Sequence, residues 1–204
     1  LLLFVGAVVE QFPGLGGYHL IQAFSVINIA IGIYGFKTTQ VWFHSLFGII
    51  ASISVVVLIG IVLEVMSLYY LHLFLLLIFY VWAIWLAGRQ VFFSTVVDYN
   101  RIVGAICIYL LMGVIWAMMY LFIAQFIPGS FNGIDQQIWY DNFSDVAYYS
   151  FVTLTTLGYG DITPVAPIAR FLVYMEAVVG VFYMAILVAS LVGVSISESQ
   201  NKSH

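Results

Sequence analysis

Thr155-Thr156-Leu157-Gly158-Tyr159-Gly160-Asp161 is the stretch of this chain whose residue types and spacing can do chemistry. Gly158 and Gly160 lack Cβ and reach backbone conformations closed to other residues. A segment that alternates between such conformations turns successive carbonyls to the same side. Several copies around an axis then present rings of carbonyl oxygens, which can replace the water around a dehydrated cation. Thr156 can offer both its carbonyl and its hydroxyl to the innermost ring. Asp161, directly after the glycines, would add a ring of carboxylates that raises the local cation concentration.

No competing chemistry stands out elsewhere. There is no nucleophile–base pair, metal-ligand cluster or phosphate loop, so an enzyme is not expected, nor an organic cofactor. Five Lys plus Arg in 204 residues could not build a phosphate-binding patch, which argues against nucleic acid as a partner. Cys107 stands alone in an apolar run, so no intrachain disulfide is possible.

The elements that must hold the stretch are helices in a lipid bilayer. The chain is 64% hydrophobic and 7% charged, with a mean hydropathy of +1.13. A water-soluble surface needs roughly a quarter charged residues. The fold class expected is an all-α integral membrane protein. A helical span needs about 20 apolar residues, and Tyr18–Phe36, Val41–Leu63, Met66–Ala87 and Ile102–Ile127 meet this before the glycine stretch, as Ile168–Ile196 does after it. Leu1–Val9 covers about half a bilayer at 1.5 Å per residue. Because Glu10-Gln11-Phe12-Pro13-Gly14 reads as a helix end and turn, it is taken as the tail of a truncated first helix. No cleavable signal with a basic leading region is visible.

Thr156-Leu157-Gly158-Tyr159-Gly160, with Thr155 before and Asp161 after, resembles the selectivity filter of the potassium-channel family and departs from its TVGYG loop at Leu157 alone. The resemblance is strong over about the last hundred residues and rests on helix count over the first hundred. It implies K+ ions held by the carbonyls of Thr156, Leu157, Gly158 and Tyr159, with Gly160 completing the outermost turn. It also implies a homotetramer, because one chain has one filter loop and carbonyl rings need four. Conduction would be passive. A non-selective monovalent cation channel is the alternative on the same frame, although such filters typically lose the second half of Gly-Tyr-Gly. A potassium-uptake transporter would need four filter-like loops in a much longer chain.

The domain organisation implied is four peripheral helices over 1–87, an amphipathic linker on the cytosolic side over 88–101, a pore domain over 102–197 and a short cytosolic tail over 198–204. The family relation puts the filter on the extracellular side of a plasma or bacterial inner membrane. Loop charges agree with that orientation. Lys37, Arg89, Arg101 and Lys202 fall inside, Glu10, Glu64 and Asp135–Asp145 fall outside, and Arg170 is the exception. Voltage-gated relatives carry arginines at every third position of the fourth helix. Met66–Ala87 has no Arg or Lys, so little or no voltage sensing is expected. His44 and His72 sit near opposite membrane faces and read as interfacial or hydrogen-bonded polar residues rather than a shared metal site. Trp42, Trp82 and Trp85 read as interface and packing residues. The pairs Phe92/Val96 and Phe93/Val97 suggest a surface helix in the linker.

Within the pore domain, Asn142-Phe143-Ser144-Asp145 supplies N-cap candidates for a pore helix; its match to a glycosylation acceptor reads as chance. By the resemblance, Leu157 should point into the pore-helix packing and Tyr159 outward against aromatic neighbours. Tyr148 should hydrogen-bond Asp161, supporting the filter's outer end together with Thr155. Glu176 lies at a depth where an ionisable group must find a partner. A protonated or hydrogen-bonded carboxyl touching Thr153 or Thr155 is expected, as a gating element or a satisfied buried group. Gly180 falls where the family has its hinge glycine, and close helix packing explains it as well. Met184, Val188 and Leu191 follow at helical spacing as cavity wall and inner gate.

Overall fold

The structure, a computed structural model, describes residue 59 and residues 66–92, 99–134, 139 and 141–201. The expected spans Tyr18–Phe36 and Val41–Leu63, apart from Ile59 in the second, and the half-span Leu1–Val9 lie outside the described residues.

Two long apolar helices come first, α1 (Met66–Phe92) and α2 (Tyr99–Phe126). Neither holds a proline, so nothing interrupts the i→i−4 ladder. α2 stops where Pro128 disfavours helical backbone at Ile127. The chain turns there through Gly129, at φ 75°, and the Ser130 amide closes the turn on the Ile127 carbonyl at 3.1 Å. β1 (Phe131–Asn132) follows, then the short helix α3 (Phe143–Leu154), β2 (Thr163–Pro164) and α4 (Pro167–Asn201). Pro167 opens α4, where its missing N–H removes one otherwise unpaired donor.

α2 is the central element, packing against α1, α3 and α4, while α3 also packs on α4. The core lies between them. Leu73, Leu76 and Tyr80 of α1, Ala117, Met118 and Leu121 of α2, and Val146 and Ala147 of α3 are all buried in one cluster. Three rings cross at the top of it. Tyr120, Phe131 and Tyr149 have centroids 5.4–5.7 Å apart at tilted or edge-on angles, the favoured geometry for aromatic pairs. Close approach of α2 and α3 depends on Gly113, where a Cβ would meet the Phe151 ring at 2.6 Å.

β1 pairs antiparallel with β2, Phe131 opposite Pro164 and Asn132 opposite Thr163. The Ser130 carbonyl accepts from the amides of Val165, 2.8 Å, and Ala166, 3.2 Å. The segment leaving the glycine stretch is thereby tied to the segment leaving α2.

α1, α2 and α4 each contain a run long and apolar enough to cross a membrane: Tyr70–Arg89, Ile102–Phe126 and Pro167–Ser190. The described part is an all-α membrane architecture with one two-stranded ribbon. Three boundaries move. Gly88–Phe92 continues α1 rather than opening a separate linker helix, and Tyr99–Arg101 already belong to α2; residues 93–98 lie outside the described residues. α4 runs past residue 197 to Asn201. His72 is buried, its ring edge-on to Trp139 with centroids 5.5 Å apart.

Candidate cation-coordinating site

α3 aims its C-terminus at the glycine stretch, and its last four carbonyls account for the shape of the loop beyond it. A helix leaves four C=O groups without intrahelical partners. Phe151 O accepts the Thr155 amide at 3.0 Å and the Thr155 Oγ1 hydroxyl at 2.6 Å. Val152 O accepts the amides of Leu157, 2.9 Å, and Gly158, 3.3 Å; Thr153 O accepts that of Thr156, 2.9 Å. Leu154 O accepts the Tyr109 hydroxyl of α2, 3.1 Å. The helix end thus draws in the amides of residues 155–158. No backbone amide among the described residues donates to the carbonyls of 156–160, which remain available as acceptors.

The backbone of the loop alternates. Thr156, Gly158 and Gly160 have φ of 62°, 58° and 83°, and Leu157 and Tyr159 between them do not share that sign. Alternation of this kind turns consecutive carbonyls to one side. A Cβ at Gly158 or Gly160 would meet nothing within 4 Å, so glycine is required there by conformation rather than by space. Thr156 holds the same conformation with a β-branched side chain, an outlier for its type. Such strain persists where surrounding bonds over-determine it; here the Thr156 and Leu157 amides are both fixed to α3.

Every residue from Thr155 to Asp161 is exposed. Leu157 is 59% and Tyr159 68% accessible, so the described part of the single chain leaves more than half of each side chain uncovered. Behind the loop lies a cleft of about 270 Å³, walled by Tyr149 and Thr153 of α3, Val173 and Ala177 of α4, and the loop itself.

At the loop's outer end Tyr148 Oη donates to Asp161 Oδ2, 2.7 Å, and the Ile162 amide donates to Oδ1, 3.0 Å. The Tyr148 bond holds the Asp161 carboxyl below the usual carboxylate range and pushes the Tyr148 phenol up to about 12, since it favours the charged acid and the neutral phenol. A Cβ on Gly133 would sit 2.5 Å from the Asp161 carbonyl, so the backbone just after β1 rests directly against this corner. At the start of α3, Asn142 precedes the helix without a side-chain capping bond. It is 5% accessible, which is incompatible with a glycan there.

Glu176 of α4 is fully buried, and its hydrogen bonds go to Tyr120 and Ser150 rather than to Thr153 or Thr155. Tyr120 Oη donates to Glu176 Oε2, and Ser150 Oγ lies 2.6 Å from Oε1. The Thr155 hydroxyl is instead turned back onto its own helix. Sequence reasoning missed Tyr120, Ser150 and Tyr109. A serine inside the apolar run of α3 was a usable signal; two tyrosines on a distant helix left none.

Gly180 is buried where α4 crosses the end of α3, and α4 runs unbroken through it. A Cβ would meet Leu154 O at 2.6 Å and Leu154 Cδ1 at 2.9 Å. One turn further, Tyr183 Oη donates to the Ala105 carbonyl, 2.6 Å, and its ring stacks on Tyr109. Met184 and Val188 are exposed below it; the side chain of Leu191 lies outside the described residues.

Residues 104–196, just under half the chain, match the family model described as ion channel. The match supports an ion channel. The matched segment begins on α2, contains α3, the loop at 156–160 and β2, and ends on α4, so it encloses the whole site and excludes α1. No curated protein and no solved structure gives a significant match.

Proposed function

We propose that four copies of this chain form a potassium-selective channel, conducting K+ passively through rings of carbonyls from Thr156, Leu157, Gly158, Tyr159 and Gly160. The observation that carries this reading is the loop's alternating backbone, with its amides drawn to α3 and its carbonyls free of amide partners. A dehydrated cation needs many oxygen dipoles at once, and one chain supplies only one side of each ring.

The uncovered loop and α4 support assembly. Leu157, Tyr159, Tyr174, Phe182 and Ile186 are each more than half accessible in the single chain, and neighbouring copies would cover the loop residues. The Asp161 carboxylates, ionised and tethered by Tyr148, would then ring the extracellular mouth. The filter faces outside and α4 ends on the cytosolic side, in a plasma or bacterial inner membrane. Met184, Val188 and Leu191 line the cavity below the filter and form its hydrophobic constriction.

Voltage sensing is weak or absent in this reading. α1 carries a single basic residue, Arg89 in its last turn, with its guanidinium 5.0 Å from the Trp85 ring. That is an interfacial anchor, and steep gating needs several charges within the field.

The test is recording from purified protein in planar bilayers with K+ on one side and Na+ on the other. The reversal potential is expected near the K+ equilibrium potential, and open probability should change little across voltage steps. Equal K+ and Na+ permeability would replace the reading with a non-selective monovalent cation channel. Steep sigmoidal activation would refute the voltage-insensitive frame.

A further inference from the structure

Glu176 lies outside the row of carbonyls, yet it is the most enclosed ionisable acid among the described residues. Both of its hydrogen-bond partners are neutral hydroxyls, Tyr120 Oη at Oε2 and Ser150 Oγ at Oε1. Ser150 Oγ is also 2.8 Å from the Gly113 carbonyl. A serine hydroxyl has one proton, so it cannot supply both Glu176 Oε1 and Gly113 O. With an ionised carboxylate, one of those two short contacts would set acceptor against acceptor. A proton on Oε1 removes the conflict. Glu176 then donates to Ser150, Ser150 donates to Gly113 O, and Tyr120 donates to Oε2, so each proton has one acceptor. An ionised carboxylate at membrane depth without a cationic partner is, in addition, costly.

Among the described residues, the titratable groups facing Glu176 are Tyr109 and Tyr120 from α2 and Tyr149 from α3. None is cationic, and none competes for the proton near neutral pH. The bridge joins three elements, with Gly113 and Tyr120 on α2, Ser150 on α3 and Glu176 on α4. Its placement matters. Ser150 is one helical turn before Leu154, and Glu176 is one turn before Gly180, whose Cα face abuts the Leu154 carbonyl. α3 is therefore fastened to α4 at two successive turns immediately before the loop.

We infer that Glu176 is held as a neutral acid whose proton bridges α4 to α3 through Ser150, making it a positioning residue for the loop at 156–160. The positioning half rests on the channel reading; the protonation half does not.

Infrared difference spectra of the reconstituted full chain, wild type minus Glu176→Gln at pH 7, test the proton without any ion flux. The expected result is loss of a carboxylic-acid C=O band in the variant. Loss of a carboxylate band instead overturns the protonation, whatever the chain conducts. The second arm is electrical. Glu176→Gln can donate to Ser150 and accept from Tyr120, and it is expected to keep the wild-type K+/Na+ permeability ratio and current decay. Glu176→Ala and Ser150→Ala each strand buried polar partners, and about tenfold less steady-state K+ current is expected from each. The double variant should be no worse than the poorer single one, because the two residues form one bridge. Should Glu176→Ala fail to assemble, Ser150→Ala, which removes only a hydroxyl, decides this arm. Positioning is overturned if Glu176→Gln is as impaired as Ser150→Ala, or if Ser150→Ala matches wild type in both current and permeability.

Discussion

Substituting Gly180 by alanine separates two physical roles for that glycine. A Cβ there would lie 2.6 Å from the Leu154 carbonyl oxygen, about 0.8 Å short of the 3.4 Å where ordinary contact begins. The obstructing atom is backbone and accepts the Tyr109 hydroxyl at 3.1 Å, so it cannot rotate aside. Either α4 or the last turn of α3 must move. Overpacking of this kind costs about 1–3 kcal/mol, against a gain of about 1 kcal/mol for alanine in a helix interior. The net expectation is a loss of up to about 2 kcal/mol per chain, borne at the residues next to the loop. Gly193, on the same helix, is the control. A Cβ there meets nothing within 4 Å, so Gly193→Ala should show only the propensity gain. Thermal unfolding of the purified protein should place Gly180→Ala below wild type and Gly193→Ala above it. Single-channel recording should show an altered K+/Na+ ratio in Gly180→Ala, since the displaced helix end carries Thr155 and Thr156. If Gly180→Ala is stabilised like Gly193→Ala and keeps the wild-type permeability ratio while only open probability changes, the close-packing argument fails and a hinge explains the glycine.

Two further outcomes concern the loop's surroundings. The Tyr148 hydroxyl stabilises the charged form of Asp161, so its contribution is present above the ordinary carboxylate pKa and lost as pH falls through the lowered value. Tyr148→Phe should move the external acid block of K+ current to higher pH, and an unchanged midpoint would refute the tether. Leu157→Asp places a charge on a side chain that is exposed in one chain and covered by neighbours in the proposed assembly; cross-linking in detergent should show loss of the tetramer, and an intact tetramer would show that Leu157 is not at an interface.

Much of the site was legible because its chemistry is local. Two glycines two residues apart announce alternating backbone, and an apolar run ending in Thr155-Thr156 announces a helix aimed at it. The conformation of Thr156 was not legible, since a β-branched residue disfavours positive φ and only the pull of the α3 carbonyls on the following amides holds it there. The end of α1 was misjudged because Gly88 and Arg89 look like a boundary, whereas packing against α2 carries the helix to Phe92.

Glu176 shows where the division lies. A carboxyl in the middle of an apolar helical span demands a polar partner on a neighbouring helix, and that demand is a property of the sequence, as are the glycine spacing and the apolar spans. Ser150 and Thr153 lie near one face of α3, separated by about 4.5 Å along its axis. Which of them meets Glu176 depends on how far α4 slides along α3. That slide is set by Gly180 seating against the Leu154 carbonyl, a contact between residues that no local pattern connects. With the same register the described residues leave Leu157 and Tyr159 more than half accessible.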